Sequence, residues 1–136
     1  MSYPVASENT LALLRGILLV GTILPSAASL AGASNCDDAL GAAILDQCKV
    51  CHSIGGGEPH STGPNLHGVV GREAAAMEGF AYSKVLRQSG FTWDVETLDL
   101  FLANPQEVLP YNRMAFGGVT DEADRAAVIC ALETLK

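Results

Sequence analysis

Cys48-Lys49-Val50-Cys51-His52 is the stretch that decides how this chain folds. Thiols three residues apart project from one side of a helical turn, and the residue after the second thiol brings an imidazole to the same place. A structural zinc site needs two close Cys or His pairs, but the remaining cysteines, Cys36 and Cys130, stand far apart near the start and end of the chain. A thioredoxin-like dithiol is led in by a strand, whereas DDALGAAILDQ at 37–47 reads as helix. What remains is the c-type haem attachment pattern: Cys48 and Cys51 add across two vinyl groups, and His52 lies beneath the iron.

The other face of such an iron needs a ligand or an open position, and the candidates are His60, His67, Met77 and Met114. His60 and His67 follow His52 too closely in a Gly/Pro-rich loop to pass round a porphyrin, and they read as surface or loop-pinning residues. Met77 follows three alanines and reads as exposed or loosely packed. Met114 sits far downstream, between Pro110 and Ala115-Phe116-Gly117-Gly118, where the chain has room to wrap the ring edge. A thioether opposite an imidazole favours reduced iron, which suits electron carriage better than oxygen activation.

Upstream of the motif, residues 11–24 (LALLRGILLVGTIL) form a short apolar run containing Arg15, followed by Pro25 and a string of small residues. This is the layout of a cleavable secretory signal peptide. The preferred cut follows Ala31-Gly32-Ala33, with Ser26-Ala27-Ala28 as a second choice, which gives a leader over 1–33 and a single domain over 34–136. A retained anchor would have to be short and carry Arg15, so no stable membrane insertion is expected once the leader is cut. Export also places haem attachment outside the cytosol, in a periplasmic setting.

The formal charge is −7, from 8 Lys+Arg against 15 Asp+Glu. Arg15 and Glu8 leave together with the leader, so the excess of acid belongs to the remaining domain. Nucleic acid is excluded as a partner, because its phosphates require clustered cations. Seven of the eight aromatic residues (Phe80, Tyr82, Phe91, Trp93, Phe101, Tyr111 and Phe116) fall between 80 and 116, where they either wall a planar apolar ligand or simply form the core. Helices are expected over 37–51, capped by Ser34 or Asn35, over 83–89, closed by Gly90, over 94–103, stopped at Asn104-Pro105, and over 121–135, capped by Thr120. Residues 52–79, rich in glycine, are expected to be loop, and no strand of note is expected.

Taken in order, Cys48-x-x-Cys51-His52, Gly63-Pro64-Asn65-Leu66-His67-Gly68, Gly71-Arg72, Gly79-Phe80-x-Tyr82-Ser83, Thr92-Trp93, Asn104-Pro105, Pro110 and Met114-Ala115-Phe116 resemble the class I c-type cytochromes of mitochondria and the bacterial periplasm. The resemblance spans about 37–135. It implies an all-α fold wrapped around one covalently bound haem c, with His52 and Met114 as iron ligands. It also implies that the Pro64 carbonyl accepts a hydrogen bond from the His52 imidazole, that Arg72, Tyr82 and Trp93 surround the inner haem propionate, and that Phe116 covers the haem face.

The family's usual Pro-Gly-Thr-Lys-Met loop reads Pro110-Tyr111-Asn112-Arg113-Met114 here, so a glycine has become tyrosine and a threonine asparagine. Asn112 retains the means to donate to a propionate. An aromatic hydroxyl near the methionine sulfur is replaced by Phe101, and the aromatic pair where first and last helices cross reads Leu45 and Ala131. Cys36 stands at the beginning of the first of those helices and Cys130 in the last, two elements that the family packs together, so the likeness suggests a disulfide in an exported chain. By loop entropy it would contribute roughly 4 kcal/mol.

The function implied is that of a monomeric one-electron carrier, not an enzyme. It would link a quinol-oxidising cytochrome complex or a dehydrogenase to an oxidase or a reaction centre. With only Lys49, Lys84, Arg87 and Arg113 available around the haem edge, weak electrostatic steering is expected. The alternative is a haem peroxidase or gas-ligand sensor in which Met114 dissociates.

Overall fold

The computed structural model describes residues 36–136, so the leader expected over 1–33 lies outside the described residues. Five helices follow in order: α1 (Asp38–Cys48), α2 (Lys84–Ser89), α3 (Val95–Ala103), α4 (Pro105–Val108) and α5 (Glu122–Glu133). There is no strand among the described residues, only an isolated antiparallel bridge between Glu73 and Thr92.

The cap of α1 is Asp37, whose Oδ1 accepts from Leu40 N at 2.9 Å, and not Ser34 or Asn35 as expected. A carboxylate is the better cap there because it also meets the positive end of the helix. The helix is shorter than the expected 37–51. It ends at Cys48, and a turn carries the chain on, with His52 N donating to Cys48 O at 2.9 Å. The haem motif therefore straddles a helix end.

α5 is likewise capped one residue later than expected, by Asp121, whose Oδ1 accepts from Asp124 N at 3.1 Å, and it closes at Glu133 instead of 135. The remaining boundaries follow the expected signals. Ser83 caps α2 and Gly90 closes it at φ 67, while Asp94 caps α3. Asn104-Pro105 ends α3 as expected but also starts α4, with Asn104 as cap and Pro105 in the first turn, where its missing N–H costs nothing.

α1 and α5 cross at Gly41, and their buried faces (Ile44 and Leu45; Ala127, Val128, Ile129 and Leu132) form one end of the core. Val128 is 1% exposed, and enclosing such an aliphatic side chain contributes about 2 kcal/mol. The approach is close because both surfaces are small: a Cβ placed on Gly41 would meet the Ala127 carbonyl carbon at 3.1 Å and Ala131 Cβ at 3.2 Å. Immediately before α1, Cys36 stands with its Cα 5.8 Å from that of Cys130 on α5, within the span that a disulfide bridges. Arg125 ties α5 to α3, its Nε donating to Asp99 Oδ1 at 2.8 Å.

The long segment between α1 and α2 is loop, as expected from its glycines and prolines. It is held by backbone bonds to the stretch before α3: Gly71 N to Trp93 O at 2.8 Å, Trp93 N to Arg72 O at 2.8 Å and Ala74 N to Phe91 O at 2.9 Å.

Candidate haem site

A cavity of about 550 Å³ lies between the Cys48–His52 turn and the loop carrying Met114. Its size falls within the ~300–1,000 Å³ of sites that hold small organic ligands and cofactors. The wall is mainly apolar: Leu66, Val69, Trp93, Phe101, Leu102 and Leu132 contribute to it. Trp93 is fixed by edge-to-face contacts with Phe91 (4.7 Å between centroids) and Phe101 (4.9 Å). Of the seven clustered aromatics, Phe80, Tyr82, Trp93, Phe101 and Phe116 line the cavity, Phe91 backs Trp93, and Tyr111 points into solvent at 87% exposure. Both readings of that cluster hold in part, because Tyr82, Trp93 and Phe101 are buried core and cavity wall at once.

Cys48, Cys51 and His52 all reach this cavity. Cys48 is half-buried, which pushes its thiol pKa up, while Cys51 is exposed. His52 Nδ1 lies 2.6 Å from Pro64 O. A carbonyl can only accept, so Nδ1 carries the proton and Nε2 keeps a free lone pair. Burial lowers the His52 pKa, and the Pro64 bond only partly opposes this, so the ring stays neutral and fit to ligate. Gly63 leaves room for the ring: a Cβ there would come within 2.6 Å of Nδ1 and 2.8 Å of Nε2.

Of the four candidates for the second axial position, only Met114 lines the cavity. His60 is spent on the loop, with Nε2 on Glu78 O at 2.8 Å and Nδ1 accepting from Asn65 N at 3.0 Å. Two thiols, a neutral imidazole and a thioether around an apolar slot are the donor set of a c-type haem, and the site fits that group.

The chain is 41% identical to cytochrome c2 of Rhodomicrobium vannielii over 118 residues, 87% of this chain and 93% of that protein. The chain belongs to the class I c-type cytochromes. It is also 42% identical to cytochrome c2 of Blastochloris viridis over 76% of this chain and 82% of that one. Its fold matches that of cytochrome cH from Methylobacterium extorquens with TM-score 0.68 at 37% identity, covering 72% of this chain and 98% of that one. No family model matches. As a class I cytochrome it carries one covalently bound haem c and transfers electrons, and it is not an enzyme.

When bound, the haem supplies a reversible one-electron couple. The polypeptide of this cytochrome positions the side chains that would hold it. Asn112 braces the Met114 loop: its Oδ1 accepts from Met114 N at 2.8 Å, and its Nδ2 donates to Pro105 O at 2.8 Å and Leu109 O at 2.9 Å. Both amide hydrogens are thereby used, which leaves Asn112 no free donor for a propionate. Gln106 adds a bond from Nε2 to Met114 O at 3.3 Å.

Tyr82 and Trp93 line the cavity, but Arg72 does not. It donates from Nη1 to His67 O at 2.9 Å and from Nη2 to Asn65 O at 3.0 Å. Burial raises the Tyr82 pKa and the Arg72 charge pulls it back, so the two groups sense each other. The cation thus acts on the site through Tyr82 and the loop, and not as part of the wall.

Asn65 is the residue that sequence reasoning passed over. It is 2% exposed, and its Nδ2 donates to Gly55 O at 2.8 Å and Glu58 O at 3.0 Å, while its Oδ1 accepts from His67 N. It knots together the loop whose Pro64 carbonyl orients His52. The one signal was its place in Gly63-Pro64-Asn65, since an asparagine after proline in a glycine-rich loop is a natural brace for backbone turns.

Proposed function

We propose that this cytochrome is an exported, periplasmic, monomeric one-electron carrier that takes electrons from a quinol-oxidising complex or a dehydrogenase and delivers them to an oxidase or a reaction centre. The observation that carries the reading is that Met114 alone among the candidate ligands joins His52 at the cavity, on a loop braced by Asn112 and Gln106. A braced thioether resists displacement, which favours electron transfer over reaction with peroxide or gases at the iron. The arrangement of 11–33 as an apolar run, a proline and small residues supports export with cleavage after Ala33. In that oxidising compartment Cys36 and Cys130 form a disulfide.

The ferric protein tests the reading directly. Weak red absorption from the methionine–iron bond, persisting across the neutral range, and no rapid carbon monoxide binding after reduction are the expected results. Immediate carbon monoxide binding by the reduced protein would instead support the ligand-sensor or peroxidase alternative. N-terminal sequencing of protein recovered from the periplasm tests the leader, with Ser34 expected at the start.

A further inference from the structure

Two non-glycine residues among those described hold positive φ, Ala75 and Tyr111 (φ 67). Tyr111 lies in the turn Leu109-Pro110-Tyr111-Asn112, closed by Asn112 N to Leu109 O at 3.1 Å. Proline at the first central position and positive φ at the second are the marks of a type II turn, whose second central position favours glycine. A tyrosine there is strained, because its Cβ crowds the backbone in the left-handed region. Packing does not compensate: the side chain is 87% exposed and stacks on no other ring. Strain held at the mouth of a functional site, with no return to the isolated molecule, points to a role outside it.

The surroundings say what Tyr111 meets. Arg113, exposed and two residues on, helps line the haem cavity, and no Asp or Glu lines it. Among the described residues only Lys49 and Arg125 have carboxylate partners, which leaves Arg113 unpaired, as is Lys84 beside the cavity-lining Ser83. The one acid of the adjoining α4, Glu107, accepts at Oε2 from Asn104 Nδ2 at 3.0 Å and does not line the cavity, and the first turns of α1 and α5 carry further acid. The cavity mouth is therefore locally cationic on an acidic molecule. Tyrosine and arginine are the residue types that dominate interface energetics. The turn below them is rigid, since Asn112 fastens it to Pro105, Leu109 and Met114.

We propose that Tyr111 is a recognition residue for an acidic redox-partner protein, its ring entering an apolar recess while Arg113 pairs with a carboxylate at the rim. The inference rests on the carrier reading above and adds the contact that selects the partner. The strained turn presents the ring already oriented, which lowers the entropy lost on docking.

The test uses the haem-loaded protein, membranes of the source organism as electron-transfer partner, and hexacyanoferrate as a small reagent that needs no docking. Tyr111→Gly is expected to fold at least as stably as the parent, since glycine suits the turn. Its rate with membranes should fall about tenfold, with midpoint potential and hexacyanoferrate rate unchanged. Tyr111→Phe, which keeps the ring, should retain the parent rate. Parent-like rates with membranes for Tyr111→Gly would overturn the proposal, as would an equal fall with hexacyanoferrate, which would place the effect in the haem pocket. A concentration-dependent dimer of the parent, lost in Tyr111→Gly, would assign the surface to a second copy of this chain and likewise overturn it. If the parent itself exchanges no electrons with the membranes, the carrier reading fails and the docking role fails with it. Loss confined to Tyr111→Gly against an active parent leaves both standing.

Discussion

Replacing Gly41 by alanine sets two effects of opposite sign against each other. On helix propensity alone the change stabilises, because alanine in a helix interior is favoured over glycine by about 1 kcal/mol. At the α1–α5 crossing the added methyl would overlap the Ala127 carbonyl oxygen, and would lie 3.1 Å from its carbon and 3.2 Å from Ala131 Cβ. Those atoms belong to helix backbone and to a methyl, neither of which can swing aside, so the helices must separate by several tenths of an ångström. Separation loosens Ile44, Leu45, Val128 and Leu132, all buried. Overpacking of this kind costs about 1–3 kcal/mol, and the strain on a rigid carbonyl places this case near the upper end. The net expectation is a loss of about 2 kcal/mol, or roughly 10 °C in midpoint for a domain of this size. Guanidinium unfolding followed by far-ultraviolet circular dichroism measures it, with Ala42→Gly on the exposed face as control. The control should lose about 1 kcal/mol from propensity alone. A Gly41→Ala protein as stable as the parent, or more so, would refute the claim that this crossing depends on the missing side chain.

The remaining expectations concern the staple, the ligand cradle and a cap. Replacing Cys36 and Cys130 by serine should lower stability by up to roughly 4 kcal/mol on loop entropy. Intact mass after alkylation without reductant should show no free thiol at either position, and two alkylated thiols in the oxidised protein would rule the bond out. Gly63→Ala should push the His52 ring off Pro64 O, because the new Cβ would stand 2.6 Å from Nδ1, and the low-spin spectrum of the haem-loaded protein should broaden or be lost. Thr97 holds the Asp94 carboxyl below its ordinary pKa, first through its backbone N–H and then through its side chain. The stability Asp94 adds is thus complete above the ordinary aspartate range and disappears as pH falls through the lowered folded value. Asp94→Asn keeps a cap acceptor and should flatten that part of the melting-temperature profile, and an unchanged profile would show that the cap does not titrate there.

Much of the site is legible in the primary structure because its chemistry is local. Cys48, Cys51 and His52 need only one turn of chain to share a side, and the structure places all three at the cavity. Helix ends marked by Ser83, Gly90, Asp94 and Asn104-Pro105 could be read because a cap depends on residues within one turn. The expected caps at Ser34 or Asn35 and at Thr120 failed where several candidate acceptors stand in a row. There the carboxylates Asp37 and Asp121, nearer the helix dipole, took the position. Asn112 and Arg72 were legible as polar residues near the site but not in their roles, since which nearby backbone carbonyls turn toward their donors is set by the folded path of each loop.

The sequence by itself determined the cofactor and the excess of acid and pointed to Cys48, Cys51 and His52 as the residues to hold the haem, because spacing and composition are properties of the chain before it folds. Spacing also favoured Met114, which alone of the four candidates lines the cavity, but only the tertiary structure decided that Asn65 knots the loop behind His52 and that Tyr111 points out from a strained turn. Met114 meets the Cys48–His52 turn from far along the chain, whereas the Asn65 knot and the Tyr111 turn close within ten residues but only along the folded path of their loops. Such meetings are set by which buried polar groups find partners and which side chains find room, and neither quantity exists until the core has closed.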